Sequence, residues 1–127
     1  MKNILENFAS KLYKEMEIDF KTVNINNVKN SDGRKNDALE VCKRGSFVYL
    51  LYDSNNKLLY VGETGISIKS RCFSDGSGAH KNKPWFNDVS YIKYYRKNNS
   101  DFSSFERKAI ENALCILLKP KNNKKSK

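Results

Sequence analysis

Two aromatic tripeptides, Phe47-Val48-Tyr49 and Tyr60-Val61-Gly62, constrain this chain more than any other feature. Ten residues separate Tyr49 from Tyr60. Each tripeptide lies in an apolar run, SFVYLLY (46–52) and KLLYVG (57–62), and Asp53-Ser54-Asn55-Asn56 stands between the runs. Asp, Ser and Asn favour turns because their short side chains bond to nearby backbone. Branched and aromatic residues on either side favour extended backbone. The pattern predicts a β-hairpin over 46–62 with one tyrosine on each strand. Tyrosines also pack in ordinary strands, so the hairpin alone leaves a structural and a chemical role open for both rings.

The remaining pattern supplies the partners of that hairpin. Ile4, Leu5, Phe8, Leu12 and Met16 recur at spacings of three and four, which predicts a helix over 3–16. Residues 17–36 are polar, with a short strand expected at 20–25 and a turn at Ser31-Asp32-Gly33. A brief helix is expected over 37–43, stopped at Gly45. After the hairpin, 65–73 suits a short helix, and 74–87, with Gly76, Gly78 and Pro84, suits a loop. Residues 88–96 alternate as a third strand. Ser103-Ser104-Phe105-Glu106 matches a capping box, opening a helix that ends near Leu118, before Lys119-Pro120. On that helix Phe102, Phe105, Ala109, Ala113, Ile116 and Leu117 read as the buried stripe. Glu111 then falls on the opposite side, bordered by Cys115 and Leu118.

The expected fold is α+β, sandwich-like. A small three-stranded antiparallel sheet is flanked by helices in the order β-β-α-β-α, with an N-terminal helical extension. Residues 1–44 read as an accessory segment packing on the core, 45–118 as the main domain, and 119–127 as a basic tail. The chain's 127 residues suffice for one such core and not for two.

Charge narrows the partners. Lys and Arg outnumber Asp and Glu 24 to 14, a net +10. An excess of this size favours a polyanion, most often nucleic acid. The last nine residues hold five lysines and no acid, so the body without them still carries +5. Cys42, Cys72 and Cys115 are too few and too widely spaced for a disulfide framework, and reduced thiols in a cytoplasmic setting are the simplest expectation. With one histidine and no CxxC, a zinc site is not expected. The opening MKNILENFASKLYKEM is too polar for a signal's apolar core, and no membrane partner is expected.

Together these residues resemble the GIY-YIG endonuclease family, named for two tripeptides about ten residues apart on its first two strands. Phe47-Val48-Tyr49 is similar to the first, with Phe for the leading Gly, and Tyr60-Val61-Gly62 to the second, with Val for Ile. Arg71 matches an arginine on the following helix. Glu111, nine residues before Pro120, matches a glutamate on the last helix, and Asn123 completes a P-x-x-N ending. The likeness covers 46–123. Arg71 lies eleven residues after Tyr60, one more than the commonest spacing. Many members carry His or Tyr four residues after the arginine, where this chain has Asp75, and His80 is its only histidine. His80 either fills that role from the loop or is an ordinary exposed residue.

The resemblance implies a nuclease that hydrolyses phosphodiester bonds of double-stranded DNA with Mg²⁺ or Mn²⁺ on Glu111, as a monomer or weak homodimer. A carboxylate suits Mg²⁺, which keeps several waters and needs few protein ligands. Arg71 suits the phosphate because a guanidinium contacts it bidentately. A phenol is a poor base at its ordinary pKa of about 10, and a nearby cation lowers that value. Either Tyr49 or Tyr60 would serve as the base, the other orienting water or phosphate. Lys69, Lys81, Lys83 and Asn123 are candidates for nucleic-acid contact, with Lys57, Lys93, Arg96 and Lys97 as further groove lysines and arginine. Trp85 and several tyrosines either stack on bases or cover the sheet. Glu106 is the competing carboxylate, explained by capping. The alternatives are a non-catalytic nucleic-acid-binding module on the same fold and a basic protein-interaction module.

Overall fold

The computed structural model describes residues 4–17, 19–32, 34 and 39–123. Its elements are α1 (Ile4–Glu17), β1 (Lys21–Asn24), α2 (Ile25–Asn30), β2 (Ser46–Asp53), β3 (Leu58–Thr64), α3 (Ile68–Phe73), β4 (Val89–Lys97) and α4 (Ser104–Leu118). The hairpin forms as its turn residues require. Asp53 Oδ1 accepts from the backbone N–H groups of Asn55 and Lys57, and Asn56 takes the left-handed conformation that asparagine tolerates. Tyr49 pairs with Gly62, and Leu51 with Tyr60.

The sheet is α+β in class and antiparallel throughout, but it has four strands, not three, in the order β1-β4-β2-β3. The short strand expected near 20–25 is the added one: Lys21–Asn24 pair with Tyr94–Tyr91 along the outer edge of β4. Four mostly exposed residues carry no alternation that announces a partner, whereas the unpaired donors and acceptors of β4 demand one.

Alternation along β2 divides the core in two. Phe47, Tyr49 and Leu51 pack on one face with Val28, Val41, Ile68, Cys72, Ile92 and Tyr94. Val48 and Leu50 pack on the other with Val61, Phe102, Leu114 and Cys115. The first face is covered by α2, α3 and the 3₁₀ helices Glu40–Cys42, His80–Asn82 and Pro84–Asp88; the second is covered by α4, with α1 packed on α4. Of the helix expected over 37–43, only the 3₁₀ turn at Glu40–Cys42 falls within the described residues; 37 and 38 lie outside them, as do Gly33 and 124–127. α3 begins at Ile68 rather than 65, because the Ser67 hydroxyl caps it by accepting from Ser70 N–H.

The capping box of α4 forms as expected, Ser103 and Glu106 bonding reciprocally. The face it buries does not match the expectation. Phe105 is 82% exposed, and Ala109 and Ile116 are exposed as well. Phe102 and Ala113 are buried as expected, and Ile110, Leu114, Cys115 and Leu118 complete the face, while Phe105 and Ala109 border a shallow groove against α1. A long-range ion pair fixes this rotation: Arg107 Nε donates to Glu63 Oε1 of β3 at 2.8 Å, and its Nη1 to the buried Ser46 hydroxyl at 2.8 Å. Glu111, one turn beyond Arg107, therefore borders the sheet-packed face and is half-buried rather than opposite the core. No helix among the described residues is long and apolar enough to cross a membrane.

Candidate active site

The edge strand β3 carries Tyr60 on the same face as Tyr49. Its outer edge is closed by the chain after α4. Lys119 adopts a left-handed C-cap, and Pro120 forbids further helix. Lys121 N–H then donates to Leu58 O and Asn122 N–H to Leu59 O. The Asn123 side chain accepts from Val61 N–H and donates to Val61 O, both at 2.8 Å. A single amide thus imitates a paired strand and ties the P-x-x-N ending to the second tripeptide.

A cleft of about 710 Å³ opens beside this edge. Tyr60, Arg71, His80, Lys83, Trp85, Lys121, Asn122 and Asn123 are among the residues lining it. Beneath it lies Tyr49, fully buried, its hydroxyl 2.7 Å from His80 Nε2 and close enough to Arg71 to feel its charge. Burial, the largest influence, raises the Tyr49 pKa well above its ordinary value despite Arg71, so the phenol stays protonated. When it donates to His80 Nε2, the imidazole proton sits on Nδ1.

His80 is not the exposed loop residue that its position among glycines suggested. It is 2% exposed, at the start of the 3₁₀ turn His80–Asn82. Burial first, then the Arg71 and Lys83 charges, bring its pKa down to about 4. As the chain's one histidine it gives an isolated NMR titration, expected with a midpoint near 4; one near 6.5 would mean that the ring is solvated.

Tyr60 is the tyrosine that reaches the cleft. Its ring meets His80 edge-on at 4.7 Å between centroids and stacks on Trp85 at 5.1 Å. Burial and then the Glu111 carboxylate raise its pKa, while Arg71 opposes them. Glu111 is not part of the cleft wall, yet its charge is felt at the Tyr60 hydroxyl from α4.

Gly62 has a steric reason to be glycine. A Cβ there would stand 2.5 Å from Cζ and Oη of Tyr49. The close approach lets the first tyrosine lie flat across its strand partner and reach His80. Gly62→Ala is expected to cost about 1–3 kcal/mol through overpacking. Urea unfolding at neutral pH measures it; an unchanged midpoint would show that the ring moves aside freely.

The sequence-derived candidates separate into two groups. Tyr49, Tyr60, Arg71, His80, Lys83 and Asn123 gather at or directly under the cleft, with Glu111 acting on Tyr60 from behind. Lys69 and Lys81 do not join them. Lys69 Nζ donates to the Ser31 carbonyl beyond α2, and Lys81 stands 3.6 Å from the exposed Asp75 carboxylate. Lys93, Arg96 and Lys97 lie over Tyr52, Phe47 and Tyr95 respectively and form no groove with the cleft. Lys121 and Asn122 were missed, because they read as part of a basic tail. The signal was available in Asn123, since anchoring that residue beside β3 brings its two predecessors along. Asn122 Nδ2 is buried with no partner among the described residues, a donor awaiting an acceptor. The cleft is therefore rich in N–H donors and cations, and its chemistry suits an oxyanion. Comparison with known proteins found no matching family model, curated protein or solved structure.

Proposed function

We propose that the chain is a metal-dependent endonuclease of the GIY-YIG type, hydrolysing phosphodiester bonds of DNA. The observation that carries this reading is the meeting of Tyr60, Arg71 and His80 in one cation-rich cleft, with Tyr49 bonded to His80 below it. A scissile phosphate seated there takes bidentate donation from Arg71, which opposes the charge that grows in the transition state. Neutral His80 and the Asn122 amide offer further donors, while Lys83 and Lys121 draw in the flanking phosphates. Of the two tyrosines, Tyr60 touches the substrate and is the candidate base for water. Tyr49 holds His80 in place.

The donor set bears on the metal. Among the described residues no three His, Cys, Asp or Glu side chains converge, which does not suit zinc. One carboxylate beside the phosphate site suits a hydrated Mg²⁺, and Glu111 is that carboxylate. When bound, such an ion neutralises phosphoryl charge and offsets the upward push of Glu111 on the Tyr60 pKa.

The reading is tested on supercoiled plasmid with Mg²⁺ or Mn²⁺ against EDTA. Nicked product is expected first, since a single candidate site cuts one strand at a time, and none is expected in EDTA. Plasmid that is retarded but intact with either metal, and stays intact across varied sequences and single-stranded substrates, would favour a binding module instead.

A further inference from the structure

Trp85 is the chain's only tryptophan, and the nuclease chemistry above gives it no task. It sits on the 3₁₀ helix Pro84–Asp88, whose next residue, Phe86, is buried in the core. Trp85 itself stays partly exposed and lines the cleft. Its ring packs against the edge of the core, and Tyr60 stacks on it nearly parallel, with 18° between planes. His80 and Phe86 meet it tilted and edge-on. A ring that only filled the core would take the place of Phe86. Trp85 instead extends a ring column from Tyr60 to the rim of a cleft whose other groups are phosphate donors.

The flat, polarisable partner that arrives attached to a phosphate is a nucleobase. We propose, resting on the nuclease reading, that Trp85 is a stacking platform for one unpaired base next to the cleaved phosphate. The substrate is then nucleic acid that is locally unpaired: a single strand, a loop, or a base swung out of a duplex. A base inside a duplex is stacked on both neighbours and has no face to give until it leaves them. Stacking tolerates any base, so the preference is for an unpaired site rather than a sequence. Seating the base also fixes Tyr60, because both rings share Trp85. Loss of the base is therefore expected to lower kcat as well as to raise KM.

The test uses the single tryptophan as its own reporter. In EDTA, where cutting is not expected, the wild-type protein is titrated with a fluorescently labelled thymidine oligonucleotide and with an abasic oligonucleotide of equal length. Anisotropy reads binding, and tryptophan emission, excited at its red edge to avoid the seven tyrosines, reads Trp85. Expected are quenching by the thymidine strand alone and an affinity about five- to a hundredfold lower for the abasic strand. Trp85→Phe should keep part of that difference and Trp85→Ala should remove it. Equal affinity and unchanged emission with both strands would overturn the stacking role and leave the nuclease reading standing. Binding of neither strand at low salt would overturn both.

Discussion

Glu111→Gln should lower metal-dependent cleavage by about 10²–10³-fold or more and leave the fold and nucleic-acid affinity nearly unchanged. Gln keeps the side chain's size on a half-buried helix face, so packing against β3 is preserved. The variant removes the larger of the two carboxylate charges that raise the Tyr60 pKa, Glu63 supplying the other, and with it the proposed ligand of a hydrated cation. Binding should survive because the donors of the cleft come from other elements: Arg71 from α3, Lys83 from the loop, Lys121 from the chain after α4. Glu106→Gln is the control on the same helix. Glu106 is exposed and bonded into its own cap, so the control should cost some tenths to about 1 kcal/mol of stability and leave cleavage intact. Plasmid cutting, thermal unfolding and salt-dependent binding distinguish the outcomes. A wild-type rate for Glu111→Gln would remove Glu111 from the chemistry, and an unfolded variant would show that its role is structural.

Local signals in the sequence were read correctly where local forces decide. The hairpin turn is made by Asp53 bonding its own neighbours, and the start of α4 by Ser103 and Glu106, three residues apart. These bonds need nothing distant. β1 was expected as a strand but not as part of the sheet, because side-chain alternation reports which face is buried and not which edge is paired. The rotation of α4 was misread because its apolar residues nearly encircle it, and the deciding interaction joins residues 44 apart in sequence. The burial of His80 depends on a segment containing two glycines and a proline within residues 76–84 folding back over β2 and β3, which no periodicity announces. At the site, the tyrosine pair stood out by type and spacing, and Arg71 through the family resemblance alone. Lys121 and Asn122 did not, since their place comes from backbone bonds to an edge strand.

Arg107→Met should be the most destabilising of these substitutions, at about 3–5 kcal/mol, because it leaves a nearly buried carboxylate without its main partner. The Arg107 and Glu63 side chains are 12% and 13% exposed. Arg107 also donates to the Ser46 hydroxyl and the Phe102 carbonyl, joining α4 to β2 and to its own entry loop. Methionine matches the length of the arginine stem, so the deficit is electrostatic rather than a cavity. Lys108 still reaches Glu63 at 3.0 Å, but from an exposed position where an ion pair contributes little, which sets the expected value toward the lower end. The pH dependence gives the sign. Burial pushes the Glu63 carboxyl up, yet the Arg107 and Lys108 bonds outweigh it and hold its folded pKa below the usual carboxylate range. The stability this pair contributes is therefore present above the unfolded value of about 4.3 and is lost as pH falls through the lower folded value. Urea unfolding of both proteins should show a wide gap at neutral pH that narrows below about pH 4. An equal gap at both pH values would assign the loss to packing. No gap at neutral pH would mean that α4 holds its rotation, and Glu111 its place behind Tyr60, without this ion pair.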